Sequence, residues 1–175
     1  MKSTLIYICL ALCFYRSDSF YTLSIDHIEG YPINMSDYAG RKVMILTFDA
    51  ASPDSSLLQR ADSLQRVDAS ASILAVPTGD FSGSASDSSL SALHSGLALT
   101  IPFTQMVHVT RSTGEMQHPL FKWLTDVVQN KHFDRDVEAP GQSFFVSEQG
   151  TLYAILNKDT DASVLLDALH QPINQ

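Results

Sequence analysis

The side chains with chemical potential gather where apolar runs end. The turn TFDAASPDSSLLQ, residues 47–59, follows Val43-Met44-Ile45-Leu46 and leads into a helical pattern. A helix N-terminus offers free N–H groups and a positive dipole end, which stabilise an anion such as a thiolate. No cysteine stands in this turn; Ser52 and Asp54 are there instead. A second carboxylate, Asp80, follows the next apolar run. Together, Asp54 and Asp80 would make an acid/base dyad with one pKa raised by the other, or a weak site for a cation. Taken singly, Asp54 caps the following helix and Asp80 serves a loop turn. Ser52 as a hydrolytic nucleophile would need a neighbouring base and an oxyanion hole, and no Gly-x-Ser-x-Gly elbow surrounds it.

The six histidines, His27, His94, His108, His118, His132 and His170, lack metal-type spacing such as His-Glu-x-x-His. His132-x-Asp134-x-Asp136 alternates ligand types. Asn157-x-Asp159-x-Asp161 begins like a calcium loop and fails at its sixth and twelfth positions, Ala162 and Ala168. Capping of the last helix is its expected task. No metal and no cofactor are expected.

These residues need elements to hold them. Alternating Leu23 and Ile25, the turn Glu29-Gly30-Tyr31-Pro32 and residues 33–35 predict an N-terminal hairpin. Residues 42–48 are nearly all apolar, as in a strand buried on both faces. Leu57, Leu58, Ala61, Leu64 and Val67 recur at helical spacing over 55–67. Residues 73–76 predict another buried strand, stopped by Pro77. The small-polar loop DFSGSASDSS, 80–89, precedes a helix through Leu90, Leu93 and Leu97 that ends near Pro102. His118-Pro119 opens a helix carrying Leu120, Phe121, Trp123, Leu124, Val127 and Val128, with Trp123 in the core. Residues 144–146 and 152–156 flank a Gln149-Gly150 turn, and 161–169 is a final amphipathic helix. This order predicts an α/β chain, a mixed sheet with helices on both faces and an N-terminal β-hairpin, of the thioredoxin-like class.

The chain has 175 residues, 45% of them hydrophobic, enough for one domain with a sizeable core. Residues 1–19 read differently. Lys2 gives a positive start, residues 5–14 an apolar run, and Ser17 and Ser19 the small residues before a cleavage preceding Phe20. The expectation is a signal peptide over 1–19 and a domain over 20–175, hence a secreted or periplasmic protein with no membrane attachment after cleavage. Lipidation of Cys13 is disfavoured because Leu12 is not small. Both cysteines, Cys9 and Cys13, lie in that leader, so the remaining chain has neither a disulfide nor a thiol. It carries nine basic against 18 acidic residues, net −9, which repels phosphate backbones and excludes nucleic acid as a partner.

Four segments resemble the glutathione peroxidase family, in consistent order over residues 21–170. YAGRKVMILTFDAAS is similar to its Gly-Lys-Val-Leu-Leu-Ile-Val-Asn-x-Ala-Ser strand, and AVPTGDFSG to its Phe-Pro-Cys-Asn-Gln-Phe-Gly-Gly segment. IPFTQMVHVTRSTGEMQHPLFKWLTD resembles the succession ending in His-Pro-Leu-Tyr-Lys-x-Leu, the most specific piece. DRDVEAPGQSFFVSEQG resembles the segment with Trp-Asn-Phe, an apolar strand and a Gly turn.

The resemblance implies the thioredoxin-like fold and peroxide reduction by a cysteine or selenocysteine, and every position carrying that chemistry departs from it. The nucleophile's position is held by Asp54, or by Ser52 when counted without gaps from Val43. The family's glutamine matches Asp80, its tryptophan and asparagine match Ala139 and Pro140, and the second cysteine of thioredoxin-dependent members matches Thr78. A serine hydroxyl is not ionised, a carboxylate is a poor nucleophile toward peroxide, and paired acids would repel a thiolate. The leading expectation is a member without thiol chemistry that binds a small molecule or a protein. The competing ones are a retained peroxidase and a weak carboxylate site at Asp54 and Asp80.

Overall fold

A computed structural model describes residues 19–172; the leader and its cysteines, as read from the sequence, lie outside the described residues apart from Ser19. The chain runs through β1 (Ser24–Asp26), β2 (Pro32–Asn34), β3 (Lys42–Asp49), α1 (Ser55–Val67), β4 (Ala71–Thr78) and α2 (Asp87–Gly96). It continues with α3 (Pro119–Thr125), α4 (Val127–Asn130), β5 (Ser143–Val146), β6 (Leu152–Leu156) and α5 (Ala162–His170). β1 and β2 form the expected antiparallel hairpin. The central sheet has the order β4-β3-β5-β6, with β3 parallel to β4 and antiparallel to β5. This is the mixed sheet of the thioredoxin-like class, with helices on both faces.

The alternation of β3 explains its apolar run. Met44, Leu46 and Phe48 pack with Leu57, Leu58, Ala61 and Leu64 of α1, Leu90 of α2 and Leu165 of α5. Val43 and Ile45 face the other way, into a cluster with Phe121, Trp123 and Leu124 of α3, the hairpin's Ile25 and Ile33, and Phe20. A strand with period-2 side chains and helices over both faces must be apolar at every position. All eight residues of β3 are buried.

Several boundaries differ from the sequence reading, each for a physical reason. Pro77 does not stop β4 but lies inside it, paired with Phe48. β4 is an edge strand, and Ala75 N–H and C=O point away from β3, to Pro102 O and Thr104 N. By the two-residue period Pro77 nitrogen also points outward, where no ladder bond to β3 is lost. The helix expected to run on through Val128 is broken at Asp126, which leaves helical backbone angles and accepts from Val128 N–H at 2.8 Å as the cap of α4. Val127 and Val128 are accordingly on the surface. α2 stops at Gly96, well before Pro102, and Ala98 follows in the left-handed region with φ 50°. Val67, at the end of α1, is exposed rather than packed, and Asp161 precedes α5 without a side-chain cap bond.

Candidate functional site

The turn between β3 and α1 is organised by two carboxylates. Asp49, the last residue of β3, is buried; its Oδ1 accepts from the N–H groups of Ala51 at 2.9 Å and Ser52 at 3.2 Å. Its Oδ2 accepts from the Ser82 hydroxyl in the loop after β4. Asp54 is the N-cap of α1, and its Oδ1 accepts from Ser56 N–H at 3.0 Å, the Ser56 hydroxyl at 2.7 Å and Leu57 N–H at 3.1 Å. The Ser56 hydroxyl, then Leu57 N–H, hold the Asp54 carboxyl below the ordinary carboxylate range. Four N–H groups that could face an anion at this turn are therefore taken by the protein's own carboxylates.

Ser52 is exposed, and its hydroxyl has no hydrogen-bond partner among the described residues, so no base addresses it. Ser52, Asp54 and Pro140 do come together, in a cavity of about 90 Å³ also lined by Phe48, Asp49, Leu57, Gly141 and Lys158. Ala139 beside it is exposed. Gly141 has φ +90°, and a Cβ there would stand 2.4 Å from Lys158 Cβ, so the lysine stem closes over a position only glycine can fill. Thr78 is fully buried at the end of β4, where its hydroxyl accepts from Asp80 N–H at 3.3 Å.

Of the two readings of these carboxylates, the geometry matches the separate one and not the paired one: Asp80 does not line that cavity, and each carboxylate has its own partners. The Asp80 side chain is 2% exposed. Its Oδ2 accepts from Val109 N–H at 2.7 Å, Thr110 N–H at 2.9 Å and the Thr110 hydroxyl at 3.2 Å. Its Oδ1 lies 2.6 Å from His108 Nδ1. Burial pushes this carboxyl up, but the Thr110 N–H, the His108 ring and Val109 N–H more than offset it, and it ends below the ordinary range. An ionised carboxylate only accepts, so His108 Nδ1 carries the proton.

Among the described residues no group of three or more His, Cys, Asp or Glu side chains could hold a metal ion. Asp134 and Asp136 are engaged by Arg111, through its guanidinium at 2.5 Å and its N–H at 3.0 Å. Asn157 accepts from Arg135 at 3.4 Å. Trp123 is buried and packs on Phe20 at 5.3 Å between ring centroids.

Reading the sequence missed Asp49, Lys158 and His108. An aspartate followed at once by small residues is a signal for a side chain that caps its own turn, two and three residues on, and Asp49-Ala50-Ala51-Ser52 carries it. The 28-residue separation of Asp80 and His108 leaves no such local mark.

No family model matches the chain, and no curated protein matches it in sequence. Its fold is similar to solved structures. Trgpx in its apo form superposes with a TM-score of 0.65 at 16% identity, over 90% of this chain and 99% of that one. T. cruzi GPX1 gives 0.65 at 17%, over 87% and 97%; both are glutathione peroxidases. A secreted Mycobacterium tuberculosis disulfide oxidoreductase homologous to E. coli DsbE gives 0.58 at 10%, over 86% and 96%. The shared feature is the thioredoxin-like fold.

Proposed function

We propose that this chain is a glutathione-peroxidase-like protein that has lost thiol peroxidase chemistry, is exported by its leader, and acts outside the cytoplasm as a binding or accessory protein for a small molecule or another protein. The observation that carries this reading is the occupancy of the β3–α1 turn. A peroxidatic thiolate needs N–H donors and a favourable field around its sulfur. Here Asp49 takes the N–H groups of Ala51 and Ser52, and Asp54 takes those of Ser56 and Leu57. The negative charge that such a turn stabilises is supplied by carboxylates, which do not attack an O–O bond and which repel a neighbouring thiolate. Ser52, the other residue at the nucleophile's place, has no base beside it.

The deciding experiment is hydrogen peroxide and alkyl hydroperoxide consumption by the purified chain, with glutathione and with thioredoxin as donors. The expected result is no turnover above the protein-free rate with either donor. Donor-dependent turnover would overturn the proposal in favour of a retained peroxidase.

A further inference from the structure

The Asp80–His108 pair lies outside the cavity at the β3–α1 turn and is arranged as a base and its positioning group. Asp80 is buried, ionised and fixed by Val109 and Thr110, whereas the His108 side chain is 48% exposed. With Nδ1 donating to the carboxylate, any lone pair for accepting a proton is on Nε2, and no hydrogen bond engages Nε2 among the described residues. His108 lines a pocket of about 320 Å³ together with Gly79, Gly83, Ser84, Met106 and Val107. The walls are mostly apolar, and apart from the imidazole no ionisable side chain lines it. A Cβ on Gly79 would come 3.3 Å from Gly83 O and 3.4 Å from Met106 Sδ, so the glycine keeps this space open. The backbone N–H groups of Gly83 and Ser84 have no hydrogen-bond partner among the described residues. An oriented base, apolar walls and two residues with unpaired N–H groups thus line one pocket.

We propose that this pocket hydrolyses small neutral carboxylic esters, with His108 as the catalytic general base and Asp80 as its positioning residue. Water adds to the ester carbonyl carbon while His108 Nε2 takes its proton. The bond to the alcohol oxygen then breaks, and the departing oxygen receives that proton from Nε2. One ester and one water give one carboxylic acid and one alcohol, with no change of oxidation state. The Gly83 and Ser84 N–H groups supply donors for the oxyanion that forms between these steps. A small, uncharged acyl group fits the pocket; an anionic one would meet a chain of strongly negative net charge.

The test follows 4-nitrophenyl acetate hydrolysis by the purified wild-type chain, His108→Gln and Asp80→Asn, with equimolar free imidazole as reference. Circular dichroism and thermal melting establish that His108→Gln is folded, as expected when Asp80 keeps its Val109 and Thr110 bonds. Wild type should saturate with ester and exceed free imidazole. His108→Gln, which retains the other five histidines, should lose about 10²-fold in kcat/KM, the lower range for general-base catalysis. Asp80→Asn should lower kcat more than it changes KM, because it misplaces the base without narrowing the pocket. The proposal is overturned if folded His108→Gln hydrolyses the ester as fast as wild type, or if the wild-type rate is linear in ester and no greater than that of imidazole.

Discussion

Replacing Asp54 by alanine tests what the carboxylate at the start of α1 does. Three contacts end on one oxygen: Ser56 N–H, the Ser56 hydroxyl and Leu57 N–H, at 3.0, 2.7 and 3.1 Å. Loss of an Asp cap costs about 0.5–2 kcal/mol, and the charge at the positive end of the helix contributes about 0.3–1 kcal/mol. Because these overlap, the expected destabilisation is about 1–2 kcal/mol. For a chain of this size each kcal/mol moves Tm by about 2–4 °C, so Asp54→Ala should melt about 2–8 °C below wild type. Asp54→Asn keeps an acceptor and loses the charge, so it should fall between the two. The sign with pH follows from the lowered carboxyl. A group whose folded pKa lies below its unfolded value stabilises above the unfolded pKa and loses that contribution as pH falls through the folded one. The gap between Asp54→Ala and wild type should be full at neutral pH and close in acid. The assay is thermal melting at both pH values, each with millimolar Ca²⁺ and with a chelator. An Asp54→Ala melt no lower than wild type refutes the cap. A Ca²⁺-dependent rise that wild type shows and Asp54→Asn lacks would mean that the carboxylate holds a cation instead.

Two further outcomes are expected. Asp62, buried on α1, accepts from Thr100 N–H at 2.5 Å, Ile101 N–H at 3.1 Å and Arg66 Nε at 2.7 Å, so Asp62→Ala strips the partner from the fully buried Ile101 and should cost about 2–3 kcal/mol, read as a lower urea midpoint with unchanged slope. Ser52→Cys should give a slowly alkylated thiol, because Asp49 already holds Ser52 N–H; adding Asp49→Asn should shift its alkylation–pH profile to lower pH, and an unchanged profile would show that Asp49 does not control the turn.

What could be read along the chain depended on how local its cause was. The limits of α1 follow from Asp54 as cap and from apolar residues at helical spacing, both within one segment, and the structure keeps them. The apolar runs of β3 and β4 likewise announce strands covered on both faces. Pro77 misled because its cost in a strand depends on which side of the sheet its nitrogen faces, and strand order is a tertiary fact. Asp126 misled because the same carboxylate that ends one helix starts the next. At the site, Ser52, Asp54 and Pro140 fall together by family resemblance and do share a cavity, whereas Asp80, one of whose readings was as Asp54's partner, lies against His108. Its true partner arrives on the segment that runs along the outer side of β4, through bonds such as Val107 N–H to Pro77 O, and no spacing in the sequence marks that approach.

The covering of β4 also sets how this sheet can meet others. Residues 102–107 occupy its outer side, with Ala75 bridged to Phe103, and Pro77 removes one donor from that margin. The opposite margin, β6, has no strand beyond it among the described residues. Growth by strand addition needs a free margin at both ends of the repeating unit. With one end sealed, strand addition to the four-stranded sheet is confined to the β6 margin among the described residues.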